Sequence, residues 1–460
     1  MFSAVVVGGG LSGLLMAMHL SRMGGRVQVF ERRDVRTLSP SSGRSINLLL
    51  SARGLAALRE FELEETAKKT ICVPVCGRTV HPVSGATKFV PYSDDSSKAI
   101  HICSRWGLNK MLLEEAERLP NVTVNFGQQC VGVDPDKGLV TLVQAGTEKR
   151  SEVSADFVIG ADGTYSAVRE HLLRSAPADY EIAALSWCYK ELEIWPEYAS
   201  ADGLNRHTTH DWARGGHMLF ALPSLDGSFN GVLHLRFRGS ESVESLRSKD
   251  DVRNFFEHNY ADVSRMMPNV VDEFMARRAT AFRTVRTSRW HHDDKVVLIG
   301  DACHTVVPFY GQGMNAAFED CSILASCLRA HGNDREAAFA EYAAMRKPNT
   351  DALGELSIRH LEELVDPVRH SMVETRHRMS VTLNRLVGLP GTRLYEMFAH
   401  TTTPHAECVA EVARQERRAR WLGLGIVMAC YAVWSGVSHA VRRLYQRRSR
   451  LIRHEVGHGS

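Results

Sequence analysis

The 460-residue chain carries almost no charge imbalance: 56 Lys and Arg stand against 53 Asp and Glu, for a formal net charge of +3. A surface so near neutrality lacks the positive field on which nucleic-acid binding depends. Internal repeats are missing, as are low-complexity linkers apart from a basic tail, so neither repeat architecture nor extended disorder is indicated. The ten cysteines are scattered without paired zinc spacings, which leaves no metal site to argue for. Cys72 and Cys76 form the only close pair, in an apolar, Pro-containing stretch instead of a CxxC turn, and free thiols in a reducing compartment are expected. The first apolar run begins almost at Met1, leaving no room for a secretory signal peptide.

What is present is a set of Gly- and Asp-rich motifs spread along a chain long enough for two or three domains. Ala4 to Val7 is an apolar run, Gly8 to Gly13 a turn, Leu14 to Met23 a helical pattern, and Arg26 to Phe30 a second strand ending at Glu31. This is a Rossmann-type βαβ opening. Gly8 permits the tight turn, Gly10 lets the backbone approach a pyrophosphate, and Gly13 lets helix and strand pack closely. The helix N-terminus faces the phosphates, and Glu31 is placed to accept hydrogen bonds from a ribose. Residues 151–160 lead through a strand into Gly160-Ala161-Asp162-Gly163, followed by Ser166 and Arg169; Asp162 and Gly163 form the turn. Lys295 to Ile299 is another apolar strand, ending in Gly300-Asp301, and Pro308 to Gly313 is a loop opening a helix near Met314. Taken alone, Asp301 reads equally as an ordinary turn carboxylate. Together the motifs require segments far apart in sequence to fold onto the first βαβ unit, and the ligand they imply is FAD. Only one such unit exists, which tells against separate Rossmann domains for FAD and NAD(P)H. Residues 180–240 alternate as an antiparallel sheet inserted into the flavin domain, and residues 335–420 read as helical.

Trp421 to Val441 runs without a formal charge apart from any on His439 and is flanked by arginines on both sides. As a helix it would reach ~31 Å, close to the thickness of a bilayer's hydrocarbon core. We expect a transmembrane helix inserted as a tail anchor; a buried or interfacial helix is the alternative. The basic tail fits the mitochondrial outer membrane, with the catalytic domain facing the cytosol.

The order of motifs resembles the single-component (class A) flavin-dependent aromatic hydroxylases. Gly43-Arg44-Ser45-Ile46-Asn47-Leu48, Ser104-Arg105 with Leu108-Asn109-Lys110, and the run Val307 to Cys321 narrow the resemblance to the kynurenine 3-monooxygenase family. A C-terminal membrane segment is also typical of its eukaryotic members. The resemblance implies NADPH- and O2-dependent hydroxylation of L-kynurenine through a flavin C4a-hydroperoxide, with no catalytic side chain required. It places FAD against Ser12, Phe30, Glu31, Arg32, Arg33, Leu49, Arg105, Cys130, Asp301, Met314 and Asn315, beside the Gly8, Gly10, Gly13, Asp162 and Gly313 of the motifs. On residue type alone, Leu49 and Cys130 read as core. It makes Arg78 and Tyr92 a clamp for the substrate carboxylate, adds Tyr395, and puts His360 where the family has a substrate-contacting Asn. Without flavin motifs, Arg78 and Tyr92 would read as surface residues. Phe309, Tyr310, Gln312, Met218 and Phe220 are candidate walls beside the flavin.

The expected architecture is α/β. A discontinuous Rossmann-type FAD-binding domain comprises 1–70, 100–180 and 286–345, and an inserted antiparallel-sheet substrate domain comprises 71–99 and 181–285. Helical residues 346–420, the transmembrane helix 421–441 and a basic tail 442–460 follow. Two other readings remain: a flavin monooxygenase or reductase acting on another aromatic or lipid substrate, and a membrane-anchored scaffold without catalysis.

Overall fold

The computed structural model describes residues 1–34, 36, 46–175, 177–365, 367–389, 391–424, 428 and 434. The run Ala4 to Val7 lies in the strand Ser3–Val7 and is fully buried. A strand covered on both faces must be apolar on both, which is why this run is continuous instead of alternating. It pairs in parallel with Arg26–Glu31 and with Phe157–Gly160, in a six-stranded sheet that also holds Val122–Phe126, Val296–Leu298 and the short edge His291–His292. The register sets Val7 beside both Phe30 and Gly160, and Gly160 beside Leu298. Gly8, Glu31, Asp162 and Asp301 therefore follow strand ends along one edge of the sheet, where ligands of parallel sheets collect.

Residues 180–240 do form antiparallel strands, within a seven-stranded sheet: Thr280–Thr287, Tyr180–Ile194, Phe229–Arg236, Met218–Pro223, Thr208–Ala213, Gly77–Val80 and Lys88–Pro91, in that order. All its pairings are antiparallel except Thr208–Ala213 with Gly77–Val80. The nearby strand Cys72–Val75 instead joins Ile100–Ser104 and Asn47–Leu50 in a separate three-stranded sheet. Segment 71–99 is thus shared between two sheets.

The helix Gly313–His331 packs against the helices Leu11–Arg22, Ala52–Arg59 and Arg335–Val365. Within this packing lies a buried ionic network. Asp320 is fully buried; its Oδ2 accepts from the Gly300 N–H at 3.0 Å and from His304, and its Oδ1 accepts from Arg346 Nε at 2.7 Å. Arg346 also binds Glu319 and donates to the Ala316 carbonyl at 3.1 Å. Glu319 in turn pairs with buried Arg53 at 3.4 Å, and Arg53 donates to the Phe398 and Thr403 carbonyls. Burial works to raise the Asp320 carboxyl, but the charges of His304 and Arg346 outweigh it and hold the group at about 2.

By internal contacts the chain forms two compact units, Met1–Ser371 with Leu394–Cys408, and Met372–Arg393 with Val409–Ser460. In the second, Asn384 donates to the Ser380 and Gln415 carbonyls at 2.8 and 3.0 Å. Among the described residues no helix is long and apolar enough to cross a membrane. The apolar segment 421–441 lies almost wholly outside them.

Replacing Arg346 with Met would leave the Asp320 and Glu319 carboxylates in a low-dielectric interior without their guanidinium. Removing one partner from a buried ion pair costs about 3–5 kcal/mol. Thermal unfolding of Arg346→Met should therefore begin well below that of the parent; an unchanged midpoint would mean that the network bears no load.

Candidate functional site

The first glycine turn is shaped by close backbone approach. Gly8 has φ +108°, and a Cβ there would lie 2.4 Å from the Ala161 carbonyl oxygen. At Gly13 a Cβ would meet the Gly8 carbonyl at 1.9 Å, so helix and strand could not pack as they do. Gly10 differs: among the described residues no atom lies within 4 Å of the position a Cβ would take. Gly10 is also the N-cap of Leu11–Arg22, and as a glycine it brings no side chain to cap that helix. The helix thus presents the unsatisfied N–H groups and positive end of its first turn to an open space. Such a cradle fits a pyrophosphate.

Around it, the motif residues divide into those that face the cradle and those that hold it together. Glu31 is buried and accepts from the Gly9 N–H at 2.9 Å and the Arg33 N–H at 3.0 Å, fixing the turn against the second strand. Phe30 is buried and its carbonyl accepts from the Gly8 N–H at 2.8 Å, while Arg32 and Arg33 are exposed. Arg105 opens the helix Arg105–Glu117, exposed and without an ion pair among the described residues. One turn on, Asn109 donates to the Gly9 carbonyl at 3.2 Å. Asp301 is partly buried, and its carboxylate has no hydrogen bond or ion pair among the described residues. A free carboxylate beside the cradle suits a polyhydroxyl chain. Ser12 connects the first motif to the third: its carbonyl accepts from Cys321 Sγ at 3.3 Å.

Other expected contacts have structural duties. Both Asp162 oxygens are occupied, Oδ1 by the Ser166 hydroxyl at 2.5 Å and Oδ2 by the Ala167 and Val168 N–H groups at 2.7 and 3.2 Å. Asp162 thus caps the helix Ala167–Ser175, and any contact with a cofactor would fall to its backbone. Arg169 then ties this motif to the next, donating to the Ala302 carbonyl at 2.8 Å. Asn315 is fully buried; its amide donates to the Leu49 and Gly311 carbonyls at 2.7 and 2.9 Å and accepts from the Ser51 N–H at 2.9 Å. It pins the Asn47–Leu50 strand to the Pro308–Gly313 loop. Gly313 opens the long helix and Met314 packs at the edge of the main core. Cys130 is buried with its thiol pushed up to about 12, by burial and by the Asp162 charge. Gly43, Arg44 and Ser45 lie outside the described residues. Cys303, His304 and Asp320 place ligand-type atoms within 4.8 Å of one another. Arg346 already neutralises Asp320 there and burial keeps the Cys303 thiol protonated, so we assign no metal to them.

The Pro308–Gly313 loop leads from this cradle to a second group of side chains. Phe309 packs against Phe282 and His234, with ring centroids 5.3 and 5.2 Å away. Burial brings His234 down to about 3, so it is a neutral wall. Met218 is buried in the same apolar cluster, whereas Phe220 packs beside Tyr92 and Tyr395 and Gln312 accepts from the Ser51 hydroxyl at 3.3 Å. Tyr310 stacks on His360 with centroids 4.6 Å apart and stands 6.4 Å from Tyr395. Tyr395 is 4.8 Å from Tyr92, whose hydroxyl meets Thr209 Oγ1 at 2.7 Å. In the sheet Arg78 is in register with Thr209, and its guanidinium lies 3.5 Å from Asp211. Arg78, Tyr92, Tyr395 and His360 thus converge through Tyr310 and Thr209. Burial pushes Tyr92 up to about 12 and raises Tyr395 and Tyr310 as well, so all three phenols are protonated donors at neutral pH.

Sequence reasoning missed Asp211, Asp320 and Arg346. The first sits among His and Trp in a strand whose alternation draws attention to its other face. The other two read as helix-surface charges.

An open phosphate cradle at a sheet edge, joined by a glycine loop to a cluster of aromatic side chains, is the arrangement an FAD-binding flavoprotein needs. Residues 1–357 match the family model described as FAD binding domain. The chain is 39% identical over 427 residues to a kynurenine 3-monooxygenase of Salinispora arenicola, covering 92% of this chain and 94% of that one. It is 32% identical over 437 residues to the kynurenine 3-monooxygenase of Anopheles gambiae, covering 94% and 89%. The chain belongs to the kynurenine 3-monooxygenase family. In fold it is similar to 2-methyl-3-hydroxypyridine-5-carboxylic acid oxygenase (TM-score 0.63, 21% identity, covering 77% of this chain and 89% of that one). It is also similar to PqsL of P. aeruginosa in complex with 2-aminobenzoylacetate (TM-score 0.63, 22% identity, 81% and 99%).

The open space at Gly10 yields a direct test. A Cβ at position 10 meets no atom of the described residues within 4 Å, and the γ-methyls of Gly10→Val would occupy the cradle, so the variant should fold with the parent's circular dichroism and purify without flavin absorbance. A yellow Gly10→Val protein would place the cofactor elsewhere.

Proposed function

We propose that this chain hydroxylates L-kynurenine to 3-hydroxy-L-kynurenine, using NADPH and O2 and releasing NADP+ and water. The observation that carries this reading is the convergence of Arg78, Tyr92 and Tyr395 beside the loop that borders the flavin cradle. Bound FAD would be held by the first turn of Leu11–Arg22, Glu31, Arg105 and Asp301, and would supply the electron transfer and oxygen activation.

The side chains do the positioning. Arg78 offers a planar fork that fits a carboxylate bidentately, and the protonated phenols of Tyr92 and Tyr395 add donors. His360, stacked on Tyr310 and 3.5 Å from Glu363, offers a ring nitrogen where the family has an amide. Phe309, Phe282 and His234 close an apolar wall that keeps water from the reacting ring. The amino group of kynurenine activates its own ring, so holding the ring carbon in place is the main demand on the protein, and no general base is assigned. A charged clamp weighs against a lipid substrate, and an open phosphate cradle against a scaffold without a cofactor.

We further infer that residues 421–441 anchor the chain in a membrane, in the outer mitochondrial membrane where the host has one. Their apolarity and arginine flanks support this reading. Release of the full chain from membranes by alkaline carbonate would overturn it.

Arg78→Ala should raise KM for L-kynurenine about 10-fold or more, the loss of a charge-assisted bidentate contact, while FAD stays bound. Unchanged turnover at low kynurenine would remove Arg78 from the clamp.

A further inference from the structure

Asp211 is buried, with its side chain 7% exposed, and stands on the sheet face that carries Arg78 and Thr209. Strand alternation sends its neighbours His210 and Trp212 to the opposite face, where His81 stacks on Trp212 at 4.2 Å. On its own face, Asp211 is in register with Phe220 of the next strand, and Phe220 packs in the small cluster with Tyr92 and Tyr395. This end of the residue group therefore presents a partly buried guanidinium and a buried carboxylate 3.5 Å apart, with phenols beside them.

In a site built for a carboxylate alone, a buried negative charge beside the arginine could only hold and orient it, at a cost in affinity. That charge repels the incoming anion in a low-dielectric setting. A ligand end carrying both signs reverses the argument: its carboxylate is drawn to the arginine and its ammonium to the aspartate. The four charges then alternate in sign, so burial leaves neither protein group unpaired.

We propose that Asp211 is the binding group for the α-ammonium of an amino-acid substrate, making Arg78 and Asp211 a zwitterion clamp. This rests on the kynurenine reading and deepens it. The clamp selects α-amino acids over the corresponding aryl-oxo acids, which share the ring and the carboxylate.

The test compares L-kynurenine with 4-(2-aminophenyl)-4-oxobutanoate, which lacks only the α-amino group, using the FAD-loaded full chain. The parent should favour L-kynurenine in kcat/KM by about 10-fold or more, the scale of one charge-assisted contact. Asp211→Asn should raise KM for L-kynurenine and lower it for the deamino acid, because an anion alone is relieved of the repulsion. Equal treatment of the two compounds by the parent would overturn the proposal without need of any variant. So would an Asp211→Asn protein, with flavin absorbance intact, in which both KM values move together, since a merely structural counter-ion to Arg78 would act on both. Turnover of neither compound by the parent would instead overturn the kynurenine reading itself.

Discussion

The buried Asp320 carboxylate fixes the parts of this molecule that must not move. It holds the Gly300 N–H, His304 and the Arg346 guanidinium at once, so the turn bearing Asp301 is bonded to the helix Gly313–His331 that follows the glycine loop. Through Glu319 and Arg53 the same network reaches the backbone at Phe398 and Thr403, just beyond Tyr395. A buried carboxylate is costly unless every lone pair is met. Because the partners here are spread over several segments, the cost is avoided only when those segments take one arrangement. The cofactor cradle and the segment bearing Tyr395 are thereby set relative to each other by a residue that need touch no ligand.

That division of labour explains what the sequence made legible. Continuous apolar runs ending in glycine motifs gave the sheet and its functional edge, because strands buried on both faces and turns of close backbone approach leave few alternatives at Val5, Gly8 or Gly13. The role of Asp162 was harder to read. An acidic residue after a strand looks the same whether it meets a ribose or caps the next helix, and only the positions of the Ala167 and Val168 N–H groups distinguish the two. Asn315 poses the same problem, since its partners at Leu49 and Ser51 come from more than 260 positions away. Asp320 and Arg346 were invisible for a related reason: charged residues on helices are usually solvated, and their burial here depends on packing that no local pattern encodes.

The proposed substrate site combines two kinds of side chain. Phe309, Phe282, Met218 and the neutral His234 make one end apolar, whereas Arg78, Asp211 and the protonated tyrosines make the other polar and charged. A molecule with an aromatic ring at one end and an amino-acid group at the other satisfies both. His360 stacks on Tyr310 with ring centroids 4.6 Å apart and lies 3.5 Å from Glu363.

Hydroxylation of kynurenine requires that its binding be coupled to reduction of the flavin. The most direct measurement is anaerobic stopped-flow reduction of the purified protein's flavin by NADPH, with and without L-kynurenine, followed by product analysis after admitting air. The account requires that L-kynurenine accelerate reduction strongly and that 3-hydroxykynurenine form. A yellow protein whose reduction L-kynurenine leaves unchanged, and which yields no hydroxylated product, would contradict it.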